Sequence, residues 1–272
     1  MYLIRVMKSK LMIRLQRVFQ RRFVRSAGAI IMFFVLWELF SGVMFPQYRL
    51  LFPPPSIVIK EAVWLTLEGD LGKHILMSLM RVGLGFAVGF AIGVPVAIGI
   101  GRFQLLSDTL EPILEMLRPI PPLAWIPLSI LWFGIGTTQN VFLIFLVGFA
   151  ATFTTTVAGV RGVDTQLIWS ALNAGCPKYR LLWDVVLPSS LPFILTGARI
   201  GLVGCWMVLV AAELVAATSG LGFMIMDARL LLLSERVVVG MAVIGLLGFL
   251  MDRGVKYVER HAVPWFYRGS VT

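Results

Sequence analysis

The stretch WSALNAGCPKYRLLWDVVLP, residues 169–188, decides how the chain is organised, because it places a hinge of soluble character between two apolar stretches. Asp164 can cap a helix that precedes the hinge, and Gly175 suits the left-handed position at which such a helix ends. Pro177 fits the first turn of a second helix, and Pro188 is expected to end it. The apolar stripe of this second helix consists of Leu181, Leu182, Val185 and Val186. The pattern predicts two short amphipathic helices folded about a glycine.

The composition around this hinge indicates a membrane protein. Of 272 residues, 58% are hydrophobic and 14% are charged, whereas soluble domains carry about a quarter charged residues. The apolar stretches predict an all-α integral membrane fold with about six transmembrane helices. The predicted spans lie near residues 27–45, 77–100, 110–134, 139–160, 192–216 and 237–254, with Pro192 opening the fifth. We expect a basic N-terminal segment 1–26, a six-span domain 27–254 with a loop at 161–188, and a tail 255–272.

Basic residues indicate the orientation of the spans. The formal net charge is +10, and eight basic residues precede residue 26. The following apolar run is too long for a cleaved signal and lacks a small-residue cleavage site, which leaves a retained span or a nucleic-acid-binding arm. Segments predicted inside hold sixteen basic residues, and those predicted outside hold six, Arg81 among them. This asymmetry favours a membrane protein with cytoplasmic termini and a cytoplasmic hinge, and argues against a nucleic-acid partner.

The second predicted span carries small residues at every fourth position. Gly85, Gly89, Gly93, Ala97 and Gly101 leave one helix face almost without side chains. Because apolar surface alone drives little association in lipid, such a face favours close approach of another helix. That helix belongs either to the chain's own bundle or to a second subunit.

The third predicted span is interrupted by the sequence RPIPPLAWIP, residues 118–127. Each proline removes a helical hydrogen-bond donor and disfavours helix at the residue before it. Irregular backbone at membrane depth requires either burial in protein or a water-filled cavity. The interruption therefore predicts a gate or cavity, with a static kink as the alternative. The pathway candidates from this stretch are Arg118, Pro119, Pro121, Pro122 and Trp125.

Few polar side chains fall within the other spans. Glu213 near the outer end of the fifth span is interpreted as part of an outer mouth or as a solvated interfacial carboxylate. Arg199, nearer the inner end, either extends to the headgroups or faces a polar path. Thr155 is a further pathway candidate, although the threonines of the fourth span, Thr152, Thr154, Thr155 and Thr156, are expected to bond to their own helix.

Catalytic and metal-binding patterns are missing from the sequence. No G-x4-G-K-[ST] phosphate cradle occurs, so the chain is not expected to bind ATP in that manner. Cys176 and Cys205 are too few for a disulfide framework or a thiolate metal site, and His74 and His261 have no companions. We expect a non-enzymatic chain with no metal ion.

The hinge resembles the cytoplasmic loop of permease subunits from ATP-driven importers, whose pattern is E-A-A-x3-G-x9-I-x-L-P. Ala171, Gly175, Leu187 and Pro188 match at those spacings, and Val185 stands in for the isoleucine. Trp169 replaces the glutamate, and Ser170 replaces the first alanine. Together with LFPPPSIV, SLMRVGLGFAVGFAIGVPVAIGIG, RPIPPLAWIPLSILWFGIG, LVAAELVAATSGLGFMI and the late PW, the chain from about residue 50 to 266 is similar to the nitrate, sulfonate, taurine and bicarbonate branch.

This resemblance implies a type I ABC importer. Two permease copies, a homodimer by expectation, would lie in the inner membrane of a bacterium above an ATPase dimer that binds ATP and magnesium. A periplasmic or lipid-anchored binding protein would deliver a small anion, with taurine or another organic sulfonate first and nitrate or bicarbonate behind. The residues that the resemblance assigns to ATPase coupling are Asp164, Trp169, Ala171, Gly175, Leu182, Val185, Leu187 and Pro188.

Two other classes of protein fit the composition less well. A stand-alone secondary transporter predicts structural repeats and paired ionisable residues within the spans, and the sequence shows neither clearly. A membrane-embedded enzyme requires a cluster of His, Asp or Ser that the sequence does not contain.

Overall fold

The computed structural model describes residues 25, 28–44 and 50–264, and every regular element in these ranges is helical. The basic segment up to residue 24 and the tail from residue 265 lie outside the described residues. In chain order, the helices are α1 (Gly28–Gly42), α2 (Pro55–Leu67), α3 (Asp70–Arg102), α4 (Gln104–Leu117), α5 (Ile126–Phe133), α6 (Thr137–Arg161), α7 (Thr165–Asn173), α8 (Lys178–Leu181), α9 (Leu187–Ala216), α10 (Leu221–Leu230) and α11 (Ser234–Ala262).

The long apolar helices follow the predicted spans. Within the described ranges, four helices are long and apolar enough to cross a membrane: α3, α6, α11 and the continuous helix Lys178–Ala216. A fifth span results if α4 and Pro122–Phe133 are taken together, and these two segments meet at 86°. The remaining apolar helix, α1, is shorter over its described residues. The all-α membrane fold is thereby confirmed, and the third span is broken where the prolines lie.

The small-residue face of α3 packs against α6. A Cβ atom added at Gly89 would lie 2.8 Å from the backbone nitrogen of Phe149, closer than real side chains approach. The other glycines of this face whose added Cβ would lie 2.6 Å from an α6 side chain are Gly85, Gly93 and Gly101. The face therefore serves the chain's own bundle, one of the two alternatives that the sequence leaves open, and α6 lies at the centre between α3 and α9.

A second layer of helices covers this three-helix centre. Leu65 of α2, Leu209 of α9 and Val239 of α11 belong to one buried apolar cluster. The first span is tied to this layer by a carboxylate: Glu38 accepts hydrogen bonds from the backbone N–H of Ser56 at 3.0 Å and from its hydroxyl at 2.8 Å. A negative charge is favourable at the amino end of α2 because the free N–H groups of a helix start are there.

The expectation that Pro188 ends the second hinge helix is wrong. The chain stays helical from Lys178 to Ala216, and both Pro188 and Pro192 lie within that helix. One wide turn spans Leu182–Val186, where the N–H of Leu187 bonds to the carbonyl of Leu182, five residues back. Such a turn shifts the hydrogen-bond ladder, so the proline that follows fits without breaking the helix. The hinge is therefore continuous with the fifth span.

Candidate functional site: the hinge and the broken helix

The hinge has the predicted local geometry. The Asp164 side chain accepts a hydrogen bond from the backbone N–H of Gln166 at 2.8 Å and so caps α7. Gly175 has a φ of +85°. The N–H of Gly175 bonds to the carbonyl of Leu172, and the N–H of Cys176 bonds to that of Ala171, both at 3.0 Å. This pair of bonds is the Schellman ending of a helix, which needs a left-handed residue at the position of Gly175.

The hinge presents aromatic side chains on its outer surface. Trp169, Tyr179 and Trp183 are 62%, 72% and 65% exposed. Of the apolar stripe, Leu181 and Val186 are buried and Leu182 and Val185 are half-buried. Three large aromatic side chains without cover on one short segment are characteristic of a binding surface.

The remaining coupling candidates lie on both sides of this hinge. The half-buried ones are Ala171, Leu182, Val185 and Leu187, and Pro188 is exposed on the continuous helix. Trp169, which replaces the glutamate of the family pattern, faces outward and offers an apolar indole where an acidic side chain would offer charge. Their part in ATPase contact stays a prediction.

The break in the third span borders a cavity of about 560 Å³. Its walls come from α4, from the Pro122–Phe133 segment, from α6 and from Ile200 of α9. Its aromatic residues are Trp125, Phe142, Phe149 and Phe153, and on α6 the rings of Phe149 and Phe153 stack with centroids 5.6 Å apart. The break therefore lies beside a cavity, and the part of the prolines in a gate or pathway stays a prediction.

Four of the pathway candidates lie together in this lining. Arg118, Pro122, Trp125 and Thr155 border the cavity, whereas Pro119 and Pro121 are exposed residues of the break that are not part of its lining. Arg118 is the cationic side chain of the lining, and its acidic residues are Glu111 and Glu115. The cavity thus combines a mostly apolar wall with one cation at the break and two carboxylates, of which Glu111 is paired with Arg161.

The threonines of α6 mostly bond to their own helix, as predicted. Thr152, Thr154 and Thr155 donate to the carbonyls of Gly148, Ala150 and Ala151 at 2.7, 2.8 and 2.9 Å. Thr156 differs, because its buried hydroxyl has no hydrogen-bond partner within the described residues.

Arg199 does not line the cavity. Its Nε donates to Oδ1 of Asp252 at 3.1 Å, and the other oxygen of Asp252 accepts from Lys256 at 2.5 Å. This arginine joins α9 to α11. Its part in a polar path stays a prediction.

Glu213 is buried, so the interpretation of it as a solvated interfacial carboxylate is wrong, whereas a part in the outer mouth stays a prediction. Arg81 donates to Oε1 of Glu213 at 2.7 Å, and both side chains are almost fully buried. The carboxylate also accepts from the hydroxyl of Ser78 at 2.9 Å and from the backbone N–H of Gly222 at 2.9 Å. Arg81 in turn donates to the carbonyl of Ser219 at 2.5 Å. The pair thus joins α3 and α9 to the turn before α10.

Sequence reasoning missed this pair because it counted Arg81 among the outer loop charges. The signal was nonetheless present: Asp70, His74, Ser78 and Arg81 follow one another at spacings of four, four and three, so they share one face of α3. Arg81 and His74 both bond to the turn between α9 and α10. Arg81 donates to the carbonyl of Ser219, and His74 Nδ1 accepts from the N–H of Gly220 at 3.0 Å. A polar face on a membrane helix needs polar partners, and Glu213 with its turn supplies them.

Over the described residues, no group of three or more His, Cys, Asp or Glu side chains is placed to hold a metal ion. The two cysteines differ in setting, since Cys205 is buried between helices and Cys176 is half-buried in the hinge.

Several known proteins are similar in sequence to this chain over most of its length. The taurine transport system permease protein TauC of Escherichia coli K12 is 37% identical over 250 residues, which is 90% of each chain. A putative aliphatic sulfonates transport permease protein SsuC of Bacillus subtilis is 36% identical and covers 85% of this chain and 83% of its own. The nitrate import permease protein NrtB of Synechocystis is 29% identical over 91% of this chain and 92% of its own.

The fold is also shared with a solved structure. An amino acid ABC transporter crystallised with histidines superimposes with a TM-score of 0.62 at 15% identity, over 73% of this chain and 97% of that one. Residues 89–263 match the sequence profile of the family described as binding-protein-dependent transport system inner membrane component. Proteins of this family are membrane-embedded permease subunits and are not enzymes themselves. The chain, with its hinge and broken helix, therefore belongs to the family of inner-membrane components of binding-protein-dependent transport systems, in the branch of the taurine, sulfonate and nitrate permeases.

Proposed function

We propose that the chain forms the translocation path of an ATP-driven importer for a small anion, with taurine or another organic sulfonate as the solute. Two copies would pair in the membrane, a separate ATPase dimer with its ATP and magnesium would bind the hinge from the cytoplasm, and a binding protein would deliver solute from outside. The excess of basic residues in the inside segments supports cytoplasmic termini. The similarity to taurine and sulfonate permeases supports the solute class.

The observation that carries this proposal is the hinge on its continuous helix. Aromatic side chains are exposed at the hinge, and the same helix runs without a break from Lys178 to Ala216. Because the helix is continuous, a displacement of the hinge is carried along it into the interior of the bundle. The chain has no nucleotide cradle of its own, which fits a force that comes from a partner.

The cavity at the broken helix is the proposed route of the solute. Arg118 supplies a positive charge, and the hydroxyls of Thr154 and Thr155 lie in the same lining. A small sulfonate combines an anionic head with a short apolar body, which suits a mostly apolar wall with a cation at the break, where Glu111 is already paired with Arg161 and Glu115 is the other acidic residue of the lining. Arg118, Pro122, Trp125 and Thr155 are the residues that we propose to contact the passing solute.

Gly175→Pro is expected to abolish uptake while the protein still inserts and folds. Proline cannot adopt the φ of +85° at this position, and it removes the N–H that bonds to Leu172. The change distorts the hinge and leaves the helix contacts of the bundle untouched. The measurement is solute uptake and ATP hydrolysis by the assembled complex in proteoliposomes, together with the yield of monodisperse protein.

Gly175→Ala serves as the milder variant of this experiment. A left-handed alanine costs about 1–2 kcal/mol, so uptake should fall only partly. Normal uptake by the Gly175→Pro complex would contradict the coupling role of the hinge.

The solute class is tested by uptake in cells that lack other sulfonate transporters and that express this chain with an ATPase and a binding protein. We expect accumulation of labelled taurine that stops when the ATPase is inactivated. Uptake of nitrate or bicarbonate without taurine would assign the chain to the other solutes of its branch. Transport that continues without the ATPase would contradict the importer and favour a stand-alone transporter.

A further inference from the structure

A forked ion pair joins the hinge to the broken helix. Arg161, the last residue of α6, donates from its two terminal nitrogens to the two carboxylate oxygens of Glu111 at 2.8 and 2.6 Å. Ser107 completes the arrangement, because it donates to Glu111 at 2.7 Å and accepts from Arg161 at 3.0 Å. A bidentate pair of this kind fixes orientation as well as distance. We call these three residues the α4–α6 clamp.

The clamp lies at the point where the chain leaves the bundle for the hinge. Only Gly162, Val163 and Asp164 separate Arg161 from the start of α7. On the other side of the hinge, α8 continues through the wide turn Leu182–Val186 into α9, so that arm is joined to the bundle by unbroken helix. The arm at Arg161 is connected to the rest of the bundle by α6 itself and, sideways, by the clamp to α4.

The helix on the other side of the clamp holds the broken span. None of the residues of α4 is buried, and its apolar contacts with the bundle come from Leu106 and Leu114, which are only partly buried. Glu111 lines the cavity, and α4 ends one residue before Arg118, where the break begins. Because α4 has no buried residue, we expect it to move together with Arg161, to which Glu111 is paired.

We infer that the α4–α6 clamp transmits displacement of the hinge to the broken helix and so moves the wall of the cavity. Arg161 and Glu111 act as positioning residues, since both carboxylate oxygens of Glu111 are bonded to Arg161 and the pair acts by holding α4. The inference rests on the proposed function, because it requires that the hinge be displaced by a partner. The opposite wall of the cavity includes Ile200 of α9, and α9 is continuous with the second hinge helix. Displacement of the hinge would therefore move both walls.

Because the pair is partly exposed, an experiment can distinguish a role in transmitting movement from a role in folding stability. Arg161 is nearly half exposed and Glu111 is 19% exposed, and partly exposed pairs contribute little to folding. Loss of the clamp should therefore leave the fold intact while it separates the movement of α4 from that of the hinge.

The experiment compares Glu111→Gln with Glu61→Gln in the assembled complex. Glu61 pairs with Arg236 at 2.6 Å and is 19% exposed, the same distance and exposure as Glu111 with Arg161, but it joins α2 to α11 away from hinge and cavity. We expect Glu111→Gln to lower the solute carried per ATP hydrolysed by roughly fivefold or more, while Glu61→Gln leaves that ratio unchanged. The double variant Glu111→Arg with Arg161→Glu rebuilds the pair and should restore part of the ratio.

The outcomes separate the two proposals. If the unaltered complex couples uptake to ATP hydrolysis and Glu111→Gln leaves the ratio unchanged, the clamp inference is overturned and the proposed function stands. An equal loss of ratio in both variants would also overturn it, because it would show a general effect of weakened helix contacts. If the unaltered complex shows no ATP-dependent uptake, the proposed function falls and the clamp inference falls with it.

Discussion

Glu213→Ala is expected to leave little folded protein in the membrane. The change strands the Arg81 guanidinium in a buried site, where it is 2.7 Å from its carboxylate partner in the native protein. Removal of one partner of a buried ion pair costs about 3–5 kcal/mol, because the remaining charge has neither water nor a counter-ion. The N–H of Gly222 loses its acceptor in the same change. The measurement is the yield of monodisperse protein and its apparent melting temperature in detergent.

The double variant Arg81→Met with Glu213→Leu tests the cause of this loss. It removes both charges and keeps apolar volume, so it should be less harmful than Glu213→Ala alone. It would not reach native stability, since Ser219 and Gly222 still lose partners that the pair provides. A Glu213→Ala protein with the native melting temperature would contradict the structural role of the pair.

Gly89→Leu is the second change for which we expect a large effect. Its first side-chain atom would lie 2.8 Å from the backbone nitrogen of Phe149, and a backbone atom cannot swing aside as a side chain can. Helices α3 and α6 would have to separate, at a cost of about 1–3 kcal/mol or more for an overpacked core. The expected result is a lower melting temperature and a lower yield.

Gly83→Leu provides the matched control on the same helix. A Cβ atom at Gly83 meets nothing within 4 Å, so the same substitution should change stability by only about 0.5 kcal/mol. Similar losses from both variants would show that leucine harms α3 through the helix itself, and the close packing against α6 would then not explain the effect.

Local features of the sequence were reliable guides to local structure. The prolines of RPIPPLAWIP mark the break, and Asp164 and Gly175 mark the start and end of α7. These signals act over a few residues, because a cap or a missing donor affects only the adjacent turn. Pro188 is the exception, since one wide turn before it lets the helix continue.

The partners of the polar side chains were beyond such local reasoning. Arg81 and Glu213 are 132 positions apart, and Arg161 and Glu111 are 50 apart. No sequence periodicity connects positions so far apart. Arg81 was therefore interpreted as an outside charge, although it forms a buried ion pair with Glu213. Which carboxylate meets which arginine depended on how the helices pack.

By itself, the amino-acid sequence determined the all-α membrane fold, the approximate place of the long apolar helices, the broken third span and the hinge, because hydropathy, proline and glycine act within one segment. The count of about six spans was not reached over the described residues, where four helices, or five with the broken pair, are long enough to cross a membrane. The tertiary structure decided that the glycine face of α3 meets α6, that Glu213 is buried with Arg81, and that the hinge is clamped to α4. Those outcomes depend on the close approach of segments far apart in the chain, and the distances between them exist only once the bundle has formed.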